Sequence, residues 1–258
     1  MAAFHTADGL TLAYDDLGPR DGAAMLLVHG FASNRQEAWR RTGWYAALET
    51  RGRRIIALDL RGHGESDRPH DPARYGRERL VSDLIGLLAH VGVGRADVFG
   101  YSMGARLALS LALAAPQSVD HLILGGVGGR LLETAPRDDR MGAAMEADDP
   151  ASIAEPLLQS FRQFADEQGE DRLALAAFTR AASEQFAASD LAAVRSPTLV
   201  VAGARDSLAG DVEVLADAIP GARAITLAGC DHFNAIPHGL LKAAVFDFLD
   251  GMLDDPFS

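Results

Sequence analysis

Short, continuous apolar runs in this chain alternate with longer amphipathic segments, and that alternation leaves few architectures open. The runs Leu10–Asp15, Met25–His29, Ile55–Leu58, Ala96–Gly100, His121–Leu124, Thr198–Ala202 and Ala224–Leu227 read as strands. Most are apolar throughout rather than at every second position. A strand apolar on both faces must be covered on both, which calls for helices above and below a mostly parallel sheet. The intervening segments supply them, with helical patterns at Trp44–Thr50, Arg77–Val91, Met103–Ala114, Asp211–Ile219 and Pro237–Met252. In the last of these, Leu241, Val245, Phe248 and Leu249 make one apolar stripe.

One region interrupts the series. Between Val127 and Ser189 no strand is legible, and the sequence is acidic loop and helix flanked by Gly125, Gly126, Gly128 and Gly129. Asp138–Pro150 is polar and turn-rich, while Ile153–Asp166 and Leu173–Phe186 read as two helices. A helical insertion of this length predicts a cap or lid over residues 127–189, set into a core made of 1–126 and 190–258. The plainer alternative is a surface excursion with no part in binding.

Charge and cysteine usage narrow the function. Lys+Arg 24 against Asp+Glu 36 gives a formal net charge of −12, so nucleic acid and anionic membrane surfaces are disfavoured partners. A single cysteine rules out an internal disulfide framework and any Cys-rich zinc or iron–sulfur site. Met1–Leu12 lacks the basic and apolar regions of a secretory signal, and Leu107–Ala115 is too short to span a membrane. A cytoplasmic protein is the expectation.

Gly100-Tyr101-Ser102-Met103-Gly104 fits G-x-S-x-G, with a strand entering it and a helix leaving it. So sharp a corner crowds the backbone around the serine, small residues at 100 and 104 relieve the crowding, and the hydroxyl is presented above the sheet. The helix that follows favours negative charge at its N-terminus. Alone the motif also fits a glycine-rich turn with a bystander serine.

A serine hydroxyl needs a base, and the base needs a carboxylate to orient it. Of eight histidines, His90 lies within a helical pattern, His121 opens a strand, His5 and His70 sit in polar segments, and His63 belongs to a glycine loop. His232 follows the strand Ala224–Leu227 at its carboxyl end, the edge where open parallel sheets place their sites. His238 competes, but Pro237 marks it as the start of the final helix. Asp206 stands just past the strand Thr198–Ala202 and between Ser102 and His232 in order, whereas Asp211 suits a helix cap and Asp231 is too close to His232 to turn back onto its ring. The strand Met25–Val28 runs into His29-Gly30-Phe31, so the N–H groups of Phe31 and Met103 are the candidate oxyanion donors. His29 is then structural. Gly30 and Tyr101 are candidates for the substrate pocket, and Trp39 and Trp44 are aromatic residues that could join them.

His29-Gly30-Phe31, then Asp59-Leu60-Arg61-Gly62-His63-Gly64-Glu65-Ser66, the turn at Ser102, Asp206 and His232 follow one another in an order that resembles the α/β-hydrolase superfamily, in particular its small cap-bearing members. The resemblance covers essentially the whole chain. It implies a three-layer α/β-hydrolase fold, a mostly parallel eight-stranded sheet with a short helical cap after the sixth strand. Ala105 stands where many relatives have a further glycine.

Serine at the turn favours acyl transfer over epoxide opening or halide displacement, for which relatives in this superfamily carry Asp. The expected reaction is hydrolysis of a small-molecule carboxylic ester, with Ser102 as nucleophile, His232 as base and Asp206 orienting it. A lactone or enol-lactone hydrolase, a cofactor-free perhydrolase or haloperoxidase, and a non-catalytic ligand-binding protein use the same residues and stay open. A carbon–carbon bond hydrolase shares them too but needs polar groups for a dienol substrate, which the sequence does not locate. No cofactor or metal is expected: the Gly92-Val93-Gly94 and Gly125–Gly129 clusters lack the dinucleotide-binding spacing, and no Walker A or H-E-x-x-H motif occurs. Cys230 reads as a small buried filler. Apolar positions on the cap can cover the site or a second copy, so a homodimer is compatible with the sequence.

Overall fold

The central strands bury both faces, and successive residues along each feed two separate cores. The structure, a computed structural model, describes residues 2–133, 138–181 and 185–254. Its strands are β1 (Ala2–His5), β2 (Thr11–Leu17), β3 (Ala24–Val28), β4 (Arg54–Leu58), β5 (Ala96–Tyr101), β6 (Val119–Gly125), β7 (Thr198–Gly203) and β8 (Arg223–Leu227). They form one sheet in the order β1-β2-β4-β3-β5-β6-β7-β8, antiparallel at β1–β2 and β2–β4 and parallel from β4 onward.

Along β3, Leu26 and Val28 face one core while Met25 and Leu27 face the other, and β5 divides the same way between Val98 and Phe99. The first core is closed by α2 (Arg77–His90), α3 (Met103–Ala114) and α8 (Val212–Asp217), the second by α1 (Trp44–Thr50) and α9 (Gly239–Leu249). Continuous apolar strands therefore have the physical cause expected of them, a helix layer on each side. Asp211 caps α8 by accepting from the Glu213 N–H, and His238 caps α9 through the Leu240 N–H.

Some features differ from the sequence reading. The strand β1 was not legible, because only Phe4 of its four residues is buried and so short a segment carries no period. Phe4 pairs in register with Leu12, which ties the segment to the sheet edge. The stretch 138–150, read as polar and turn-rich, contains α4 (Arg140–Glu146). Its Met145 is buried against Ala165, Leu175 and Ala176, and buried Arg162 donates from Nη1 to the Ala144 carbonyl at 3.2 Å, satisfying the helix's open end.

Beyond it lie α5 (Pro156–Gln168), α6 (Arg172–Arg180) and α7 (Ala188–Leu191), so among the described residues four α-helices lie between β6 and β7. The predicted helix over Leu173–Phe186 stops at Arg180, and its portion at 182–184 lies outside the described residues. Met145, Ala165, Leu175 and Ala176 share their small core with Ala32, so the helical segment rests on the loop that follows β3. Among the described residues no helix is long and apolar enough to cross a membrane.

Candidate active site

Ser102 sits between β5 and α3 with φ 56° and ψ −116°, a region that L-residues avoid unless the surroundings impose it. The surroundings do. A Cβ at Gly100 would lie 2.1 Å from the Gly104 carbonyl oxygen, and one at Gly104 would lie 2.0 Å from the Val28 oxygen. Both obstacles are backbone, so only glycine permits strand, turn and helix to pack this closely. The Ser102 N–H donates to the Gly125 carbonyl at 2.7 Å, which ties the turn to β6.

The loops after β7 and β8 bring the other two residues to this point. The Ser102 hydroxyl lies 2.9 Å from His232 Nε2, and His232 Nδ1 lies 2.8 Å from Asp206 Oδ2. Asp206 Oδ1 accepts from the Leu208 and Ala209 N–H groups, each at 3.0 Å, so its carboxylate is fixed at both oxygens. His232 and Asp206 are buried. The Tyr101 hydroxyl donates to the His232 carbonyl at 2.6 Å, and burial pushes that phenol's pKa upward, which keeps it protonated as a donor.

Gly30 and Phe31 run alongside the turn, close enough that a Cβ at Gly30 would lie 3.5 Å from the Ser102 Cβ. Among the described residues, neither the Phe31 N–H nor the Met103 N–H donates to a backbone acceptor. His29 is wholly buried beneath them, with Nδ1 2.8 Å from the Gly30 carbonyl and Nε2 accepting from the Leu60 N–H at 3.0 Å. Burial pushes its pKa down to about 4, so it is neutral and occupied by backbone. Below it, Asp59 accepts from the backbone of Arg35 and Glu65 and pairs with the Arg35 guanidinium.

A cleft of about 440 Å³ opens beside Ser102 and His232. Gly30 and Tyr101 line it, as does Phe31. Trp39 and Trp44 do not: both are fully buried in the second core against Phe99, where the Trp44 indole donates to the Ile236 carbonyl. The sequence reading missed the wall contributed by α5, where Phe161 and Phe164 face the cleft, and the pair Phe233 and Ile236 just after His232. Rings link across the opening, Phe31 to Phe161 at 6.0 Å, Phe161 to Phe233 at 5.7 Å, and Phe233 to His232 at 5.6 Å. An aromatic pair at i and i+3 on an amphipathic helix was the available signal, but nothing in the sequence said which way that helix faces. Cys230 is buried.

The family model described as the alpha/beta hydrolase fold matches residues 23–189, and the chain belongs to that family. A hydrolase from Pseudomonas aeruginosa PA01 of known crystal structure superposes with a TM-score of 0.81 at 30% identity, covering 96% of this chain and 97% of that one. A 2-hydroxymuconate semialdehyde hydrolase of Pseudomonas putida is 29% identical over 238 residues, 84% of this chain and 83% of the relative. The acetyltransferase component of an acetoin-cleaving system from the same species is 31% identical over 214 residues, 78% of this chain and 56% of that protein. For several other curated relatives the shared region is less than half of their length.

Proposed function

We propose that the protein is a serine hydrolase that cleaves small-molecule carboxylic esters through an acyl-serine intermediate. The observation that carries this reading is the continuous hydrogen-bonded line from Ser102 through His232 to Asp206, at 2.9 and 2.8 Å, ending on a serine held at positive φ beside an apolar cleft. In the first half-reaction His232 Nε2 takes the hydroxyl proton as Ser102 Oγ adds to the ester carbonyl. The Phe31 and Met103 N–H groups, which donate to no backbone acceptor among the described residues, receive the oxyanion. Collapse of the tetrahedral adduct expels the alcohol, which leaves with the proton from His232. Water then adds to the acyl-serine with His232 again as base, and the acid departs as Ser102 regains its proton. Asp206 holds the ring with Nδ1–H toward itself throughout. The helices of 127–189 act as a short cap whose α5 supplies one wall of the substrate cleft.

The test is kcat/KM over a p-nitrophenyl ester series from acetate to dodecanoate, with Ser102→Ala alongside. Turnover of the short and middle members, and its loss by about 10³-fold or more in the variant, is the expected result. Turnover that survives the substitution contradicts the acyl-serine mechanism.

A further inference from the structure

We infer that the cleft beside Ser102 selects esters whose chain is uncharged and turns away substrates bearing a carboxylate, a selection that deepens the ester-hydrolase reading above and rests on it. The lining combines the apolar Phe31, Phe161, Phe164, Phe233 and Ile236 with the neutral polar Ser33, Thr42, Ser160 and Gln163. The lining also carries Glu37 and Glu167, and among its described residues there is no lysine or arginine. A carboxylate entering this space gives up its water and meets no counter-ion, a cost that an uncharged chain does not incur.

The cations nearby are engaged elsewhere. Arg41 reaches Glu37 at 2.7 Å from the solvent side. Lys242 is not among the lining residues, and its Nζ donates to the Thr42 and Pro237 carbonyls at 2.8 and 2.9 Å. Arg77 and Arg106 line a separate cavity with Met103 and Phe178. Glu167 on α5 has no cationic partner among the described residues, so its charge faces an incoming anion unneutralised. The net charge of −12 adds a longer-range field of the same sign. The P. putida relative is named for a muconate semialdehyde, which retains a carboxylate; the described lining here offers no lysine or arginine to pair with one.

The test compares p-nitrophenyl hexanoate with the p-nitrophenyl monoester of adipate, which matches it in chain length but ends in a carboxylate. The expected kcat/KM ratio favours the neutral ester by at least about 10²-fold, and shrinks severalfold both at high salt and in the Glu37→Gln/Glu167→Gln double variant. In parallel, calorimetric titration of Ser102→Ala with methyl hexanoate and with monomethyl adipate reads the same preference without turnover. Equal rates, or a preference for the anion, overturn the inference. A neutral preference that neither salt nor the double variant moves overturns the role given to the two glutamates. Absence of turnover with both esters overturns the ester reading, and the charge selection then stands if the neutral ligand alone binds and falls if both bind equally or neither does.

Discussion

Asp206 presents its two oxygens to different partners, and that division decides what an amide would do in its place. Oδ1 receives two backbone N–H groups, so the carbonyl oxygen of an asparagine is held on that side. Its NH₂ is then directed at His232 Nδ1. Two donors cannot face each other, so the imidazole shifts its proton to Nε2 and loses the lone pair that accepts from Ser102. Asp206→Asn is therefore expected to fold normally and to lose about 10⁴-fold in kcat, as wrong-tautomer variants of such triads do. Esterase kinetics with a thermal melt checks it; a loss below about tenfold would mean that Asp206 does not set the tautomer. The positions 102, 206 and 232 were legible because each lies just past a strand that reads clearly, at the carboxyl edge of the sheet. The cleft wall was not, since Phe161 and Phe164 become neighbours of Ser102 only through the docking of α5, which periodicity does not encode.

At the scale of elements, the helices between β6 and β7 are fastened to the core by a buried carboxylate. Glu170, in the turn between α5 and α6, accepts from Asn34 Nδ2 at 3.0 Å and from the Gly64 N–H at 2.8 Å. Asn34 in turn accepts from the N–H groups of Gln36 and Glu37, so one side chain joins these helices to the loop carrying Phe31. Burial pushes the Glu170 pKa upward. A glutamine there can accept one of the two bonds but must aim its NH₂ at the other donor, at a cost of about 1–3 kcal/mol. Glu170→Gln should raise amide hydrogen exchange across α4, α5 and α6 while leaving β3, β5 and β6 protected. Exchange that is unchanged in those helices would mean that Glu170 does not fasten them. The anchoring residue is silent in the sequence because its partners lie 136 and 106 positions away. Strands and helices of the core, by contrast, follow from local patterns that tertiary packing reinforces rather than overrides. The strand β1 and the helix α4 escaped because one is too short for a period and the other draws its stability from Arg162 and from partners on α5 and α6.

Across the whole molecule, the fold buries two neutral histidines back to back beneath the candidate oxyanion loop. His29 and His63 have ring centroids 5.2 Å apart and no exposed surface. Burial pushes their pKa values down to about 4 and about 3. The unfolded chain takes up these protons near pH ~6.5, but the folded chain does so only at much lower pH. Each histidine therefore withdraws stability as pH falls through that window, and neither matters above it. Carboxyls lifted by burial, Asp59, Asp83 and Glu170, act with the opposite sign but are common to the protein and its variants. Between about pH 7.5 and about pH 5.5, the native protein should lose about 1.4 kcal/mol more than His63→Gln, one proton's worth over one unit. Urea unfolding at the two pH values measures it, and parallel losses in the two proteins would contradict a neutral buried His63.

The proposal that Ser102 is the nucleophile is tested most directly by stoichiometric labelling with a neutral p-nitrophenyl alkylphosphonate, followed by peptide mass mapping. The expected result is one equivalent of p-nitrophenol released per chain, the phosphonyl mass on the peptide that carries Ser102, and esterase activity lost in step with the label. Full activity after complete labelling, or a label on any other residue, would contradict it.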